Sequence, residues 1–219
     1  MVRSDALDQW LSSYLEMPVK IAWEGALADA LRGRLDGVSF EMAGVATAWM
    51  PLERIVVHAD HARFTPGFPA RIRVEAPVVQ FTVGQRDLDR WQNGFQLPFK
   101  LKLAREGLVV NTEIAGLPIS EFETTLEVVR GWFVLKPRRA AILGVSNQLA
   151  RLFRAYLPLP PLSPDARVVA IEHGTDRLSI HLGLSDFDEE ITPGMLTRLR
   201  RRVLPWSGRD PAGPDSGVE

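Results

Sequence analysis

A run of polar and charged residues, QRDLD at 85–89, directly follows an alternating apolar stretch, and carboxylates in such a place could perform acid–base chemistry or bind a metal. Asp87 and Asp89 are two positions apart, so on a helix their side chains point roughly 200° apart. In that geometry they cannot share a proton or a metal ion. We therefore interpret the run as a structural corner, with Leu88 and Trp91 facing the core and the charges facing solvent.

The sequence HADH at 58–61 has a His-x-Asp-His spacing that also occurs in metal sites. On a strand, His58 and Asp60 share a face while His61 points away. The chain has 4 histidines, and no other His or Glu cluster is spaced to complete a ligand set. We interpret HADH as residues of an exposed strand, and we expect neither a metal nor a cofactor.

Two further stretches contain acids or a hydroxyl at suggestive positions. SDFDEE at 185–190 lacks the glycine and the distal bidentate glutamate of a calcium loop. LGVSNQ at 143–148 resembles half of a nucleophile elbow around Ser146, but it lacks the second glycine. No catalytic constellation survives, so the chain is expected not to be an enzyme. A hydrolase using Ser146 or the HADH acids is the weakest alternative.

The composition is that of an ordinary soluble globular protein. The chain has 219 residues, of which 46% are hydrophobic and 24% charged, with a formal net charge of −1. With a net charge this close to zero, the protein as a whole is not expected to attract nucleic acid. Cysteine is absent, which excludes disulfides, thiolate metal sites and a thiol nucleophile.

The N-terminal stretch MVRSDALDQWLSSYLEMPVK carries Asp5, Asp8 and Glu16 and has no continuous apolar run. We therefore expect it to be neither a signal peptide nor a transmembrane span. The expected location is the cytoplasm, with the inner membrane leaflet as the place of any peripheral membrane contact.

Apolar residues at helical spacing predict helices in three parts of the chain. The first and longest covers residues 5–35, with a break or kink at Pro18. The other two cover residues 139–157 and 192–206. The spacing thus predicts helices at both ends and in the middle of the chain.

Between these helices the hydrophobic period changes to two, which predicts strands. Alternating stretches follow one another from Val38, interrupted by a short helix at 85–92, and a last hairpin covers 167–184. Because no helix intervenes to carry a parallel crossover, the strands are expected to pair antiparallel. The sequence predicts an α+β fold with a long, mostly antiparallel sheet in one domain over residues 1–206. A disordered tail is expected over 207–219.

Two features favour an apolar partner. Several strands, such as WFVL at 132–135, are apolar on both faces, so something must cover each face: a helix on one side and protein or an acyl chain on the other. The segments LARLFRAYLPLP and MLTRLRRRVLPW are basic and amphipathic, which suits an anionic lipid surface. The alternative for both segments is a helix docked on the core with solvated arginines.

Three segments carry a family resemblance: GRLDGVSFEMAGVATAWMPLERIVVHADHARF, VVQFTVGQRDLDRW and LPLPPLSPDARVVAIEHGTDRLSIHL. In this order they resemble the LmeA-like phospholipid-binding family, a bacterial domain of unknown function related to tubular lipid-binding (TULIP) proteins. The similarity extends from Arg34 to Arg202. It implies a TULIP-like fold, in which a long twisted antiparallel sheet wraps against a long helix and lipid chains occupy the apolar seam. The segment 5–35 would be that helix, and no catalytic residues carry over.

The expected function is non-enzymatic binding or transfer of phospholipid or another acyl lipid. Arg200 and Arg201 are the expected contacts to headgroups or to an anionic membrane surface. The expected lipid-binding residues are apolar positions of the long helix and of the strands that face it: Trp10, Tyr14, Trp23, Leu27, Phe40, Trp132 and Ile180. Each of these could equally be a plain core residue.

The alternative function is a protein-interaction or scaffold module that uses the same apolar face without bound lipid. A homo-oligomer would be one form of that alternative.

Overall fold

The protein is represented by a computed structural model, which describes residues 2–15, 18–45, 51–94, 97, 99–114, 117–129, 132–142, 145–146, 154–158, 162, 164–190 and 192. Within these ranges the chain is mostly antiparallel β-structure with short helical segments. The strands form two sheets, here called sheet A and sheet B.

The helices and strands follow one another in a simple order along the chain. The helices are α1 (Asp5–Leu15), α2 (Leu27–Leu31) and α3 (Gln85–Gly94). The strands are β1 (Val2–Arg3), β2 (Val19–Glu24), β3 (Arg34–Val45), β4 (Leu52–Thr65), β5 (Arg71–Glu75), β6 (Val78–Gly84), β7 (Lys100–Ala104), β8 (Gly107–Ile114), β9 (Leu117–Val129), β10 (Trp132–Ile142), β11 (Val145–Ser146), β12 (Ala155–Pro158), β13 (Ala166–His173), β14 (Arg177–Leu184) and β15 (Phe187–Glu190).

Sheet A has nine strands, and its main path runs β1-β2-β3-β4-β6-β14-β13. The long strand β4 pairs with β6 along its first half and with β5 along its second half. β15 then pairs with β5, so the sheet is extended at the end where β4 finishes. The chain changes direction between β5 and β6 at Ala76, which has a φ of 44°, and at the buried Pro77.

Sheet B has six strands in the order β11-β10-β9-β8-β7, and β12 pairs with β10. Every pair in both sheets is antiparallel, and consecutive strands from β7 to β10 pair as a meander. The predicted antiparallel pairing and the predicted last hairpin, which is β13 with β14, are therefore confirmed.

Two clusters of buried apolar residues hold these layers together. The larger one joins sheet A to sheet B through residues such as Phe81, Leu178 and Leu126, with Leu88 of α3 between the sheets. The smaller one lies within sheet A around Trp23 and Val38. Burial of apolar side chains across the two sheets makes them one packed unit, since each sheet supplies part of the larger cluster.

The expected long N-terminal helix over 5–35 is wrong, and so is the α+β fold class built on it. Helix α1 ends at Leu15, and the next described residues, from Val19, form a strand. Val19, Ile21 and Trp23 are buried, which is the period of two that suits a strand. The same residues also fit a helical spacing, but their pairing with β3 makes this segment a strand.

The helix expected over 139–157 is also wrong for its described residues. β10 extends to Ile142 and pairs with β9 along its length, and β11 and β12 follow. Long-range pairing overrides the helical period because each paired residue satisfies its backbone groups across the sheet. The helix expected over 192–206 and the tail expected over 207–219 lie outside the described residues, except for Thr192.

The short helix predicted at 85–92 is confirmed as α3, and it connects the two sheets. Two glutamines on this helix bond the backbone of the edge strand β7. Leu101 donates its N–H to Gln92 Oε1 at 2.8 Å, and Leu103 donates its N–H to Gln85 Oε1 at 2.6 Å. Gln92 Nε2 also donates to the Leu101 carbonyl at 3.2 Å. The two side chains thus satisfy backbone groups that a neighbouring strand would otherwise satisfy.

Asp89 lies between these glutamines and fixes the orientation of both amides. Its Oδ1 accepts a hydrogen bond from Gln85 Nε2 at 2.7 Å and one from Gln92 Nε2 at 2.9 Å. Because both amide nitrogens are bound to the carboxylate, both amide oxygens are directed to the N–H groups of β7. We call Gln85, Asp89 and Gln92 the glutamine clamp. The stretch QRDLD, which supplies Gln85 and Asp89 of this clamp, therefore builds the corner between the two sheets.

We predict that Gln92→Ala lowers the free energy of unfolding by about 1–3 kcal/mol, because it leaves the backbone N–H of Leu101 without its partner and removes one of the two amide donors to the Leu101 carbonyl. Chemical denaturation of the purified variant measures this change. The matched control is Gln9→Ala, which makes the same substitution at an exposed position of α1. Equal effects of the two substitutions would show that the clamp does not stabilise the fold.

Candidate functional site

The inner face of sheet A is a broad apolar surface made of two adjacent rows of side chains. Each row crosses five neighbouring strands, because partners opposite one another in a sheet point to the same side. The first row is Met42, Ile55, Phe81, Ile180 and Ile171. The second row is Phe40, Val57, Val79, Leu182 and Val168. We call these ten residues the inner face.

Part of the inner face is covered from the side of α3 and sheet B. Leu88 of α3 and Leu103, Leu108 and Leu126 of sheet B are buried in the same cluster as Phe81. Six of the ten residues are only partly buried: Met42, Phe40, Ile171 and Val168 at the ends of the rows, and Val57 and Ile180 next to them. The inner face is thus a core in its middle and a partly open apolar surface toward the ends of the rows.

The opposite face of the same strands is polar. Thr82 and Ser179 are buried there and their hydroxyl oxygens lie 3.2 Å apart, while Gln80 Nε2 donates to Ser179 Oγ at 3.2 Å. Arg54 and Glu41 form an ion pair at 3.7 Å on that side. This contrast between the two faces fixes the register, because a slip by one residue would turn the polar side chains toward sheet B and the apolar ones away from it.

The chemistry available on the inner face is apolar contact. None of its ten residues is titratable or nucleophilic. Binding there would therefore depend on the apolar area removed from water, at about 25 cal/mol per Å². The side chains of this surface offer no polar group that could select a ligand.

His173 is a titratable side chain at the border of this face. It pairs with Leu178 in the β13–β14 hairpin, and its Nε2 accepts a hydrogen bond at 3.4 Å from the backbone N–H of Leu126 in sheet B. Burial lowers the pKa of His173, because the charged imidazolium is poorly solvated there. The neutral ring can accept this bond, whereas the imidazolium cannot.

We predict that this link between the sheets weakens at acidic pH. Because the pKa of His173 is lower in the folded state, its contribution to stability is present above the unfolded value of 6.5 and is lost as the pH falls through the folded pKa. The free energy of unfolding of the wild type, minus that of His173→Gln, should therefore become smaller between pH 8 and pH 5.

Comparison of the two proteins at each pH isolates this effect from that of His61. A hydrogen bond with Asp36 raises the pKa of His61, so its contribution is present below 6.5 and is lost as the pH rises. That contribution is common to both proteins and cancels. A difference that does not change with pH would contradict the role assigned to His173.

The expected lipid-binding residues are spread over several places. Phe40 and Ile180 both lie on the inner face. Trp23 is 1% exposed in the smaller buried cluster, so Trp23→Asp should unfold the protein. Leu27 is 55% exposed on α2, and Trp132 is 46% exposed on the side of sheet B that faces away from the larger cluster.

The side chains of the other expected residues lie outside the part of the chain that the structure describes. Trp10 and Tyr14 lie in α1, but their side chains are outside what the structure describes. Arg200 and Arg201 lie outside the described residues altogether. The expected pairing of the long helix with these strands is therefore replaced by a face of sheet A that meets α3 and sheet B.

The residues considered for catalysis or metal binding do not converge. His58 and His61 are exposed on β4, where His61 Nδ1 lies 2.8 Å from Asp36 and His58 Nε2 lies 3.8 Å from Asp60. Ser146 is exposed on the two-residue strand β11. Among the described residues there is no group of three or more metal-ligating side chains.

Sequence reasoning missed Met42 and Val57 as parts of the site. Their signal was the alternation of VSFEM and RIVVH, which predicts the strands but not which strands are neighbours. It also missed the glutamine clamp. The spacing Gln85, Asp89, Gln92 places three polar side chains on one helical face and could have indicated a structural role.

No family model, curated protein or solved structure matches this chain. None of the helices in the described part of the chain is long and apolar enough to cross a membrane.

Proposed function

We propose that this protein binds an acyl lipid, such as a phospholipid, with the hydrocarbon chains lying along the open margin of the inner face. The observation that supports this proposal is the pair of apolar rows across five strands of sheet A, whose outer members are only partly buried. An apolar surface that crosses five strands and is partly open at its ends suits a ligand with a hydrocarbon chain, whose headgroup would stay in water.

The affinity would come from hydrocarbon burial. Each buried methylene group contributes about 0.8 kcal/mol, so about ten of them would supply about 8 kcal/mol before the cost of ordering the chain. The protein would hold the lipid without reacting with it. It would bind or transfer lipid at a membrane surface, and the inner leaflet is the surface we expect.

Native mass spectrometry of the purified protein, combined with organic extraction, tests this proposal. The expected result is a protein that carries phospholipid or exchanges it with added liposomes. A monomer that stays free of lipid after incubation with liposomes would contradict lipid binding.

We predict that Val57→Trp reduces lipid occupancy about tenfold or more, because the larger side chain fills the space beside Phe40 and Met42 of β3 that an acyl chain would occupy. Overpacking at this partly open place should cost about 1–3 kcal/mol of stability. Native mass spectrometry after incubation with liposomes measures occupancy, and thermal unfolding confirms that the variant is folded.

The matched control is Val56→Trp. Val56 is the preceding residue of β4 and is also partly buried, but it lies on the opposite, polar face of the sheet. It should retain wild-type occupancy. If both variants load lipid like the wild type, the inner face is not the binding site.

The alternative function is a protein-interaction module, and exposed apolar residues on sheet B favour it. Trp132 lies directly opposite Val129, and Tyr156 of β12 lies one row further along the same side. Trp132 is 46% and Tyr156 57% exposed. Aromatic side chains of this kind are enriched in protein interfaces.

Sedimentation of the lipid-free protein separates the two functions. A stable dimer that Trp132→Lys converts to a monomer, and that carries no lipid, would favour the interaction module. A monomer that carries lipid, with Trp132→Lys loading normally, would favour lipid binding.

A further inference from the structure

Four large apolar side chains are exposed at one end of sheet A, where β4 ends and β3 begins. Leu27 is 55% and Leu31 81% exposed on α2, Phe68 is fully exposed in the loop after β4, and Phe64 is exposed at the end of β4. We call this group the apolar tip. Large side chains rarely project into water in this number at one place unless they meet another surface.

The backbone holds the parts of the apolar tip close to one another. Phe64 donates its backbone N–H to the Gly33 carbonyl at 2.7 Å, and Gly33 donates its own to the Ala30 carbonyl of α2 at 2.9 Å. Gly33 has a φ of +77°, and a Cβ there would lie 2.1 Å from the Phe64 carbonyl oxygen. A glycine is therefore required for α2 to approach the end of β4 this closely.

A row of arginines crosses the sheet beside the tip. Arg34, Arg63 and Arg73 are direct partners on the neighbouring strands β3, β4 and β5, so their side chains emerge on the same side. Like charges opposite one another destabilise a sheet. Arg73 has Asp188 of β15 opposite it, so the unfavourable contact is the one between Arg34 and Arg63, which a bound anion would relieve.

The carboxylates near this end leave two of these arginines without an ion pair. Asp188 pairs with Arg71 at 3.2 Å, and Glu75 pairs with Arg73 at 3.5 Å. Among the residues that the structure describes, no carboxylate oxygen lies within 4.0 Å of a side-chain nitrogen of Arg34 or Arg63.

Other acidic groups are present at this end and limit its positive charge. Asp29 of α2 pairs with the exposed Arg32 at the C-terminal end of that helix, at 3.4 Å. Asp36 lies in the next row away from the tip, where it bonds His61, and Glu190 lies on the outermost strand β15. The positive charge is therefore concentrated at Arg34 and Arg63, in the middle of the sheet and next to the apolar tip.

We propose that this end of sheet A docks on the surface of an anionic phospholipid bilayer. The side chains of Leu31 and Phe68 would enter the interfacial region, and Arg34 and Arg63 would contact lipid phosphates. This inference goes beyond lipid binding on the inner face, because it concerns the contact with the membrane and not the site that holds the lipid.

Binding to vesicles of phosphatidylcholine with 30% phosphatidylglycerol tests the proposal, with pure phosphatidylcholine vesicles for comparison. The full-length protein should bind the anionic vesicles more strongly, and added salt should weaken the binding. Arg34→Gln combined with Arg63→Gln should lower the partition coefficient about 25-fold, since each basic residue at such a surface contributes about a factor of five.

Leu31→Ser combined with Phe68→Ser should also lower partitioning, on both vesicle compositions, because these side chains act through hydrocarbon contact. The matched controls are Arg105→Gln with Arg167→Gln and Val145→Ser with Val169→Ser, which change exposed residues of the same kinds elsewhere. Both controls should bind vesicles like the wild type.

The outcomes separate this inference from the proposed function. Val57→Trp should bind vesicles normally while it loses lipid occupancy, and the tip variants should retain lipid that is already bound. If the control variants lose vesicle binding to the same degree as the tip variants, docking by the tip is wrong. It is also wrong if the wild type does not bind vesicles. A wild type that ignores vesicles and forms an oligomer that Leu31→Ser with Phe68→Ser disrupts would assign the tip to self-association.

Discussion

The rest of the structure depends on how α3 satisfies the edge of sheet B while it packs against sheet A. The helix begins immediately after β6, so it is fixed to sheet A by the chain itself, and Gln85 donates its backbone N–H to the Asp176 carbonyl in the β13–β14 turn at 2.9 Å. Its clamp residues then hold β7 at Leu101 and Leu103. An open strand edge would expose unpaired backbone groups. The glutamine clamp binds those groups of β7 in place of another strand.

The position of α3 also decides how much of the inner face is core. Leu88 and sheet B cover the middle of the rows, where Phe81 and Val79 are buried, while Met42 and Val57 stay partly open on the strands further from α3. A cover that extended further would turn the whole face into a core and leave no room for a ligand. Stability and the proposed function thus divide one continuous apolar surface between them.

Local sequence patterns predicted most strands, the short helix α3 and the antiparallel pairing, because each depends on alternation and turn residues within a few positions. The same patterns failed for the segment 5–35 and for 139–157, where apolar residues fit both periods. Trp23 fits a helical stripe with Leu27 and Leu31, yet it lies in β2, where it pairs with Val2 of β1 and is buried, while those two side chains remain exposed. Only contacts between distant residues could decide such cases.

The candidate site was still harder to predict, because a face that binds hydrocarbon has no motif. Phe40 and Ile180 were expected on apolar character alone, but Val57 joins them only through pairing between strands distant in sequence. The arginine row beside the apolar tip also arises only from the pairing of strands. Arg34, Arg63 and Arg73 are unremarkable in the sequence and become a concentrated charge only when three strands align. Both candidate surfaces depend on strand register, so a one-residue slip would remove them while the composition stayed the same.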